Sequence, residues 1–534
     1  MLTPVSQSLL SGLGASFGRG LAWACVLLAL AGCAGLPERS SIAVPVSTAI
    51  DAAASSSRLA RIADDAVRGS GHASAFKPLP FGPAAYATLI TLAAQAEHSL
   101  DLQTFEVHGD ASGAGVLAAL REAATRGVRV RILVDDLHTD AAESLLSDLA
   151  AFERIEVRLV NPFTRLRSSR EAKLLSSLDE IERVNHRMHN KLFIADNALA
   201  VIGGRNIGDG YYMRSASGVN FLDLDLLAAG AVVPRMSASF DEYWNSEFAW
   251  PIDAIVPAAG DRAQRQARFD EAASHDASHA TDWAVSPQRA RAFGSAADEL
   301  RLGVLRMTGA DAEVVADPPD KLGGTRVGNR AGTVRATIGA AGLASRFEVF
   351  MVSPYYIPGR IGMESLRKNH RDGVRLRLIT NSLAATDEPA VHAVYARYRR
   401  KLIELGMEID ELSPKLAAQE LGAGHPPGSS VALHMKVIVF DRSSVFVGSL
   451  NLDGRSEQYN TEVGVMIRSP ELTKLLLSLI DFQSSCYRVE LDAEGQLRWL
   501  GPLDQVVYRS EPEAGAMRVL GARMLGLAVP PDWL

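Results

Sequence analysis

The chain has 534 residues, 47% hydrophobic and 22% charged, enough for two or three globular domains with sizeable cores. Its net charge of −7 provides no overall basic field, so nucleic acid is not the expected partner, although Arg397, Arg399, Arg400 and Lys401 cluster locally. With only Cys25, Cys33 and Cys486, neither a disulfide framework nor a cysteine metal site is available.

Leu21 to Leu30, "LAWACVLLAL", is an apolar run too short to cross a bilayer as a stable helix. Arg19 precedes it and Ala31, Gly32 and Cys33 follow, the pattern of a bacterial secretion signal. "LAGC" resembles the lipobox of bacterial lipoproteins, which implies cleavage before Cys33 and its acylation. Stable anchoring needs more than one acyl chain, so a multiply acylated Cys33 is expected to hold the protein at a membrane. Ala34, where an aspartate would retain a lipoprotein at the inner membrane in many Gram-negative bacteria, favours the periplasmic face of the outer membrane. Residues 34–80 are rich in Ala, Ser and Pro and read as a tether, with "AAASSSRLARIADDAVRG" as a short exposed helix on it.

Two related halves follow, 81–250 and 330–534, the second with a C-terminal extension. "LREAATRGVRVRILVDD" (from Leu120) and "LRKNHRDGVRLRLITNS" (from Leu366) both read as a helix, a Gly stop and a strand alternating Arg with apolar residues. "HNKLFIADNALAVIGGRN" (from His189) recurs as "HMKVIVFDRSSVFVGSLN" (from His434). His189, Lys191, Asp196, Gly203 and Asn206 have counterparts His434, Lys436, Asp441, Gly448 and Asn451, each 245 residues on. Two elements in nearly one register point to duplication. Alternating strands and helices predict an α/β fold of two α/β/α halves packed face to face. Residues 251–329 read as a helical connector or inserted arm, in which Pro318 and Pro319 fix an extended turn before Lys321.

Strand parity puts His189 and Lys191 on one face and Met188, Asn190 and Leu192 on the other. Asp196 and Asp441 begin polar breaks before the next apolar runs and are expected to fix hairpins more than to touch substrate. Gly203 and Gly448 permit a tight backbone path, and Asn206 and Asn451 add amide donors three residues later. Imidazole, ammonium and carboxamide together suit a phosphate. Each histidine needs a partner to fix its tautomer; Asp223 and Glu462, each opening an apolar strand downstream of its motif, are the choices, with Asp225 the rival to Asp223.

The two motifs resemble the paired His-x-Lys-x4-Asp-x6-Gly-(Gly/Ser)-x-Asn signatures of the phospholipase D superfamily. "RMHNK", "GGRNIGDGYY", "ADPPDK", "SPYYIP" and "NLDGRSEQYNTE" are similar to its bacterial cardiolipin synthase branch, C type, from about Phe81 onward. The resemblance places Asp196 and Asp441 in the catalytic signature with the histidines and lysines. It implies phosphatidyl transfer in one cleft shared by the halves, with phosphatidylglycerol as acceptor, and with neither metal nor cofactor. One histidine attacks phosphorus and the other serves as acid and then base; the resemblance assigns attack to His189. Water as acceptor would make the protein a phospholipase D, and DNA as substrate a nuclease. The export signal and acidic balance disfavour the latter.

Overall fold

The computed structural model describes residues 36–42, 44–51, 56–139, 141–278, 294–324, 332–421, 428–502 and 506–528. In the first half, strands Ser99–Glu106, Arg129–His138 and Ile155–Val160 run parallel, with Leu100 beside Val130 and Val130 beside Ile155. Leu192–Ala195, Leu199–Gly203 and Asp225–Gly230 extend the sheet antiparallel from the other side of Ser99–Glu106. The second half repeats this with Glu348–Val352, Arg375–Asn381 and Glu408–Leu412, then Val437–Phe440, Ser444–Gly448 and Val463–Arg468. Parallel neighbours require a crossover. Helices Ala111–Thr125 and Gly359–Arg371 supply one in each half, and Gly127 and Gly373, at φ 97° and 78°, turn the chain back into the sheet.

Alternation along the strands produces three apolar layers. Phe193 and Ala195 face the first half's helices, and Ile438 and Phe440 face those of the second. Leu192, Ile194, Val437 and Val439 meet between the sheets, so the halves pack face to face as expected. Each such side chain contributes about 1.5–3 kcal/mol on full burial. The site grows out of this central layer, which fixes the two motifs relative to each other.

The halves also join edge to edge. Strand Ser74–Leu79 pairs with Asp225–Gly230 on one side and, through Ser74 to Phe76, with Thr308 to Ala310 on the other. Strand Thr308–Ala316 continues along Val463–Arg468. These two are counterparts, the first from the stretch read as tether and the second from the stretch read as connector, and both readings are corrected accordingly. "SAFKPL" is buried at every position, so it carries no alternation to mark it as a strand. Helix Arg58–Ser70, expected to be exposed, buries Leu59, Ile62, Ala63 and Ala66. Residues 36–42 and 44–51 lie along the first half: the Arg39 guanidinium donates to the carbonyl of Ala249 at 2.7 Å, and the Ser47 and Ala49 N–H groups donate to Asn245 and Asp241. In the former connector, helix Arg262–Ser278 buries Phe269 and Ala273 in the first-half core. Pro318 is extended as expected, at φ −73° and ψ 153°, and Lys321 is buried, its Nζ 2.8 Å from Asp317 and 3.0 Å from the Ser456 carbonyl. The signal and Cys33 lie outside the described residues.

Candidate active site

Two short cross-half contacts build the site. Val219–Leu222 pairs in parallel with Ser430–Leu433, Leu222 lying beside Leu433, and the next residues are Asp223 and His434. At the equivalent place Met188 bridges Thr461, and the next residues are His189 and Glu462. The His434 N–H donates to the Leu222 carbonyl at 2.8 Å and the His189 N–H to that of Thr461 at 3.0 Å. Each histidine therefore meets a carboxylate of the other half: His434 Nδ1 is 2.7 Å from Asp223 Oδ2, and His189 Nδ1 is 3.0 Å from Glu462 Oε2. With Nδ1 so engaged, Nε2 is the nitrogen left for chemistry.

Parity holds for the lysines. Met188 and Leu192 sit in the inter-sheet core, while Lys191 Nζ bends back to donate to the His189 carbonyl at 2.9 Å. Lys436 Nζ donates to the His434 carbonyl at 2.5 Å and lies 3.1 Å from its Nδ1. All four side chains are buried. Burial, then the charges of Lys191 and Lys436, hold the His189 imidazole well below its ordinary value. Burial and Lys436 outweigh the pull of Asp223 and bring His434 down to about 4. Burial and Lys436 lower Lys191 to about 7, and burial lowers Lys436. The carboxylates differ. Burial lifts Glu462 to about 7 against the Ser449 hydroxyl and the Lys191 charge. At Asp223 the raising effect of burial is outweighed by the His434 hydrogen bond and charge and by Lys436 and Arg205, so the group stays below the usual carboxylate range. An empty site thus holds neutral imidazoles beside cationic nitrogen, and an arriving phosphodiester anion favours protonation of one of them.

The motif aspartates are elsewhere. Asp196 and Asp441 begin hairpin turns at φ 53° and 50°. Asp196 accepts the N–H groups of Glu97, His98 and Ser99, and Asp441 those of Arg346, Phe347 and Glu348. Their place in a catalytic set is corrected: they lock each hairpin to the start of the neighbouring strand. Asp225, the rival to Asp223, pairs instead with Arg205 at 2.8 Å. A Cβ at Gly203 would lie 2.1 Å from Asp225 Oδ1, and one at Gly204 would lie 2.4 Å from Asp223 Oδ1, so these acids need that bare backbone.

The asparagines are not equivalent. Asn206 Nδ2 donates to Glu106 Oε2 at 3.1 Å and to the Tyr211 hydroxyl at 2.8 Å, which commits both its donors. Asn206 is therefore corrected from phosphate ligand to anchor of that network. The Asn451 side chain makes no such bond among the described residues, and its Oδ1 is buried without a partner. Glu106 and Tyr211 were not expected. Tyr211 donates to Glu106 at 2.7 Å, and its ring stands against His434 at 5.1 Å. Burial raises the Glu106 carboxyl, but the His108 hydrogen bond, the charges of His138 and His108 and the Tyr211 hydroxyl outweigh this and hold it well below the usual range. Phe105 lies against the His189 ring at 4.9 Å and Phe221 against His434 at 5.2 Å. The register of the two sheets makes Tyr355 the counterpart of Glu106, and its hydroxyl donates to Asp387 at 2.8 Å. The repeat could not reveal Glu106, because the duplicate position carries a different residue; Tyr211 lay in the "GGRNIGDGYY" stretch without a motif position of its own.

A pH dependence follows. Orienting His189 through Nδ1–H needs Glu462 ionised, and holding phosphate needs Lys191 protonated. Both have apparent values near 7, so kcat/KM should rise as Glu462 loses its proton and fall as Lys191 loses its own, giving a narrow bell centred near pH 7. Glu462→Gln should abolish the acid limb and Lys191→Arg should move the alkaline limb upward. A profile flat from pH 6 to 8 would contradict this assignment.

Two imidazoles held through Nδ1, two buried ammonium groups and a duplicated α/β scaffold define an enzyme of phosphodiester chemistry. The cardiolipin synthase, PLD-like domain model matches residues 89–244 and 338–481, and the chain belongs to that family. It is 33% identical to cardiolipin synthase C of Escherichia coli over 86% of this chain and 95% of the relative. It is 23% identical to a cardiolipin synthase of Geobacillus kaustophilus over 79% and 71%. Among solved structures, phosphatidylserine synthase of Haemophilus influenzae shares the fold, with a TM-score of 0.55 at 12% identity over 87% of this chain and 96% of that one.

Proposed function

We propose that the chain is a phospholipase D-type phosphatidyltransferase that makes cardiolipin, moving a phosphatidyl group from a donor phospholipid to the headgroup glycerol of phosphatidylglycerol. The family and the cardiolipin synthase C relative support this reading. The observation that carries the mechanism is the pair of cross-half histidine–carboxylate contacts. His189 Nε2 attacks phosphorus, forming a P–N bond as the P–O bond to the leaving headgroup breaks, and His434 Nε2–H protonates the departing alkoxide. His434 then takes the proton of the incoming hydroxyl, whose oxygen attacks phosphorus and breaks the P–N bond. The ionised Asp223 suits His434 to carry the transient proton, and burial beside Lys191 and Lys436, which disfavours charge on His189, suits it to attack as neutral imidazole. Lys191, Lys436 and Asn451 offset the charge on the nonbridging oxygens.

In cells lacking cardiolipin, expression of the chain should restore it. Accumulation of phosphatidic acid with no cardiolipin would establish the hydrolase instead. The lipobox resemblance supports an acylated Cys33 at the periplasmic face of the outer membrane, close to concentrated lipid acceptor. In the same cells Cys33→Ser should lower cardiolipin and release the protein from the membrane fraction; normal cardiolipin with full retention would remove the anchor from the account.

A further inference from the structure

Helix Ala516–Ala528, "AMRVLGARMLGLA", is packed with its small side inward. Val519 and Ala522 contact Leu383 and Ala393, and a Cβ on Gly526 would meet the Ala393 carbonyl at 3.3 Å, so this face lies flat on helix Pro389–Glu404. Met517, Leu520 and Met524, spaced i, i+3 and i+7, point outward and are 53–80% exposed, with Leu525 beside them. A water-facing helix normally has the reverse pattern.

A second exposed apolar cluster lies in the first half, just before the His189 motif. Leu166, Leu175, Leu178 and Ile181 are 48–68% exposed. Its underside is fixed: Leu174 packs against the buried cluster of Leu137, Phe163 and Val184, as does Phe105, the ring that stands against His189.

Both clusters adjoin one region. Arg518 donates to the carbonyls of Leu383, at 2.7 Å, and of Thr386. The next residue, Asp387, accepts the Tyr355 hydroxyl and acts on the His434 imidazole by its charge. From the other side, Arg170 acts on Glu388 and His138. The outward apolar groups of the two halves therefore lie on either side of Asp387 and Glu388, the segment that borders His434. Beside the helix, a cavity of about 740 Å³ is lined by five arginines and Glu511; Arg399 pairs with Glu511 at 2.8 Å, whereas Arg397 and Arg523 have no ion-pair or hydrogen-bond partner among the described residues.

We propose that this face, the outward stripe of Ala516–Ala528 together with Leu166, Leu175, Leu178 and Ile181, is the surface the protein applies to a bilayer rich in anionic phospholipid. The inference rests on the phosphatidyltransfer reading and specifies how that site meets its substrate. Apolar side chains of this kind bury at the boundary of headgroups and acyl chains, and arginines around them contact phosphate. A site whose reacting phosphorus belongs to a membrane lipid gains from having its mouth held at that depth. At the helix the arginines weigh against a second copy of the chain as occupant, because two Ala516–Ala528 stripes face to face would bring like charges together.

The test uses the full chain on vesicles of phosphatidylglycerol and phosphatidylcholine carrying a photoactivatable diazirine phosphatidylglycerol, with labelled peptides mapped by mass spectrometry. Label should appear in 166–181 and 517–525. Label confined to other surfaces would overturn the proposal. So would concentration-dependent dimerisation abolished by Leu520→Ser/Met524→Ser, which would assign the stripe to self-association. The same double variant should turn over vesicle lipid about ten-fold more slowly and a monomeric short-chain phosphatidylglycerol at the unaltered rate; equal rates on vesicles would count against the surface. If the unaltered chain fails on the short-chain lipid while labelling is as expected, the enzymatic reading fails and the surface stands.

Discussion

Alanine at either His189 or His434 should lower phosphatidyl transfer by about 10⁴-fold or more, the scale seen when a member of a concerted nucleophile–base set is removed. The two losses should have different chemical origins. His189→Ala removes the atom that forms the P–N bond, so no covalent intermediate can be trapped. His434→Ala leaves the nucleophile with its Glu462 contact and Lys191 intact, so a donor whose leaving group needs no proton, such as a phosphatidyl nitrophenol, should still load the enzyme. Acid quench after mixing should recover phosphate on the peptide containing His189 in the unaltered enzyme and in His434→Ala. Phosphate on the peptide containing His434 would reverse the assignment.

The second large effect is expected at Asp223, a residue of the first half that serves the histidine of the second. Asp223→Asn keeps the volume but replaces the acceptor 2.7 Å from His434 Nδ1 with a group that can present an N–H to it. The imidazole is then free to adopt the other tautomer and loses the charge that stabilises its protonated form, so kcat should fall about 10³-fold. Glu462→Gln should cost less, about 10²-fold, because Glu462 sits near 7 and already shares its proton in the empty enzyme, whereas Asp223 is held ionised. The decisive comparison is a leaving-group series. With Asp223→Asn the loss should shrink as the leaving group becomes more acidic, because protonation is the impaired step, and with Glu462→Gln it should not. Equal losses across the series would leave Asp223 a purely structural role.

Much of the molecule could be read from residue order. The duplicated motifs carry their own evidence: two copies at a constant offset fix which histidine, lysine, aspartate, glycine and asparagine correspond, and strand parity separates His189 and Lys191 from Met188 and Leu192. The hairpin role of Asp196 and Asp441 followed from the same local logic, because a turn is written in adjacent residues. The choice of Asp223 and Glu462 also came from position within a half.

Which acid meets which histidine was decided only by packing. The pairing crosses between halves, through the Leu222–Leu433 and Met188–Thr461 contacts, and no local pattern encodes a partner more than 200 residues away. Packing also committed Asn206 to Glu106 and Tyr211 while leaving Asn451 without such a bond, a difference between positions that sequence alone makes equivalent. Strand Ser74–Leu79 was hidden for a related reason: a strand buried on both faces loses its alternation, and its identity, like that of Thr308–Ala316, rests on neighbours distant in the chain. Sequence by itself thus determined the two half-sites, because their chemistry is local and repeated, and tertiary structure decided the single site, because its electrostatics arise where one half's imidazole is buried beside the other half's carboxylate.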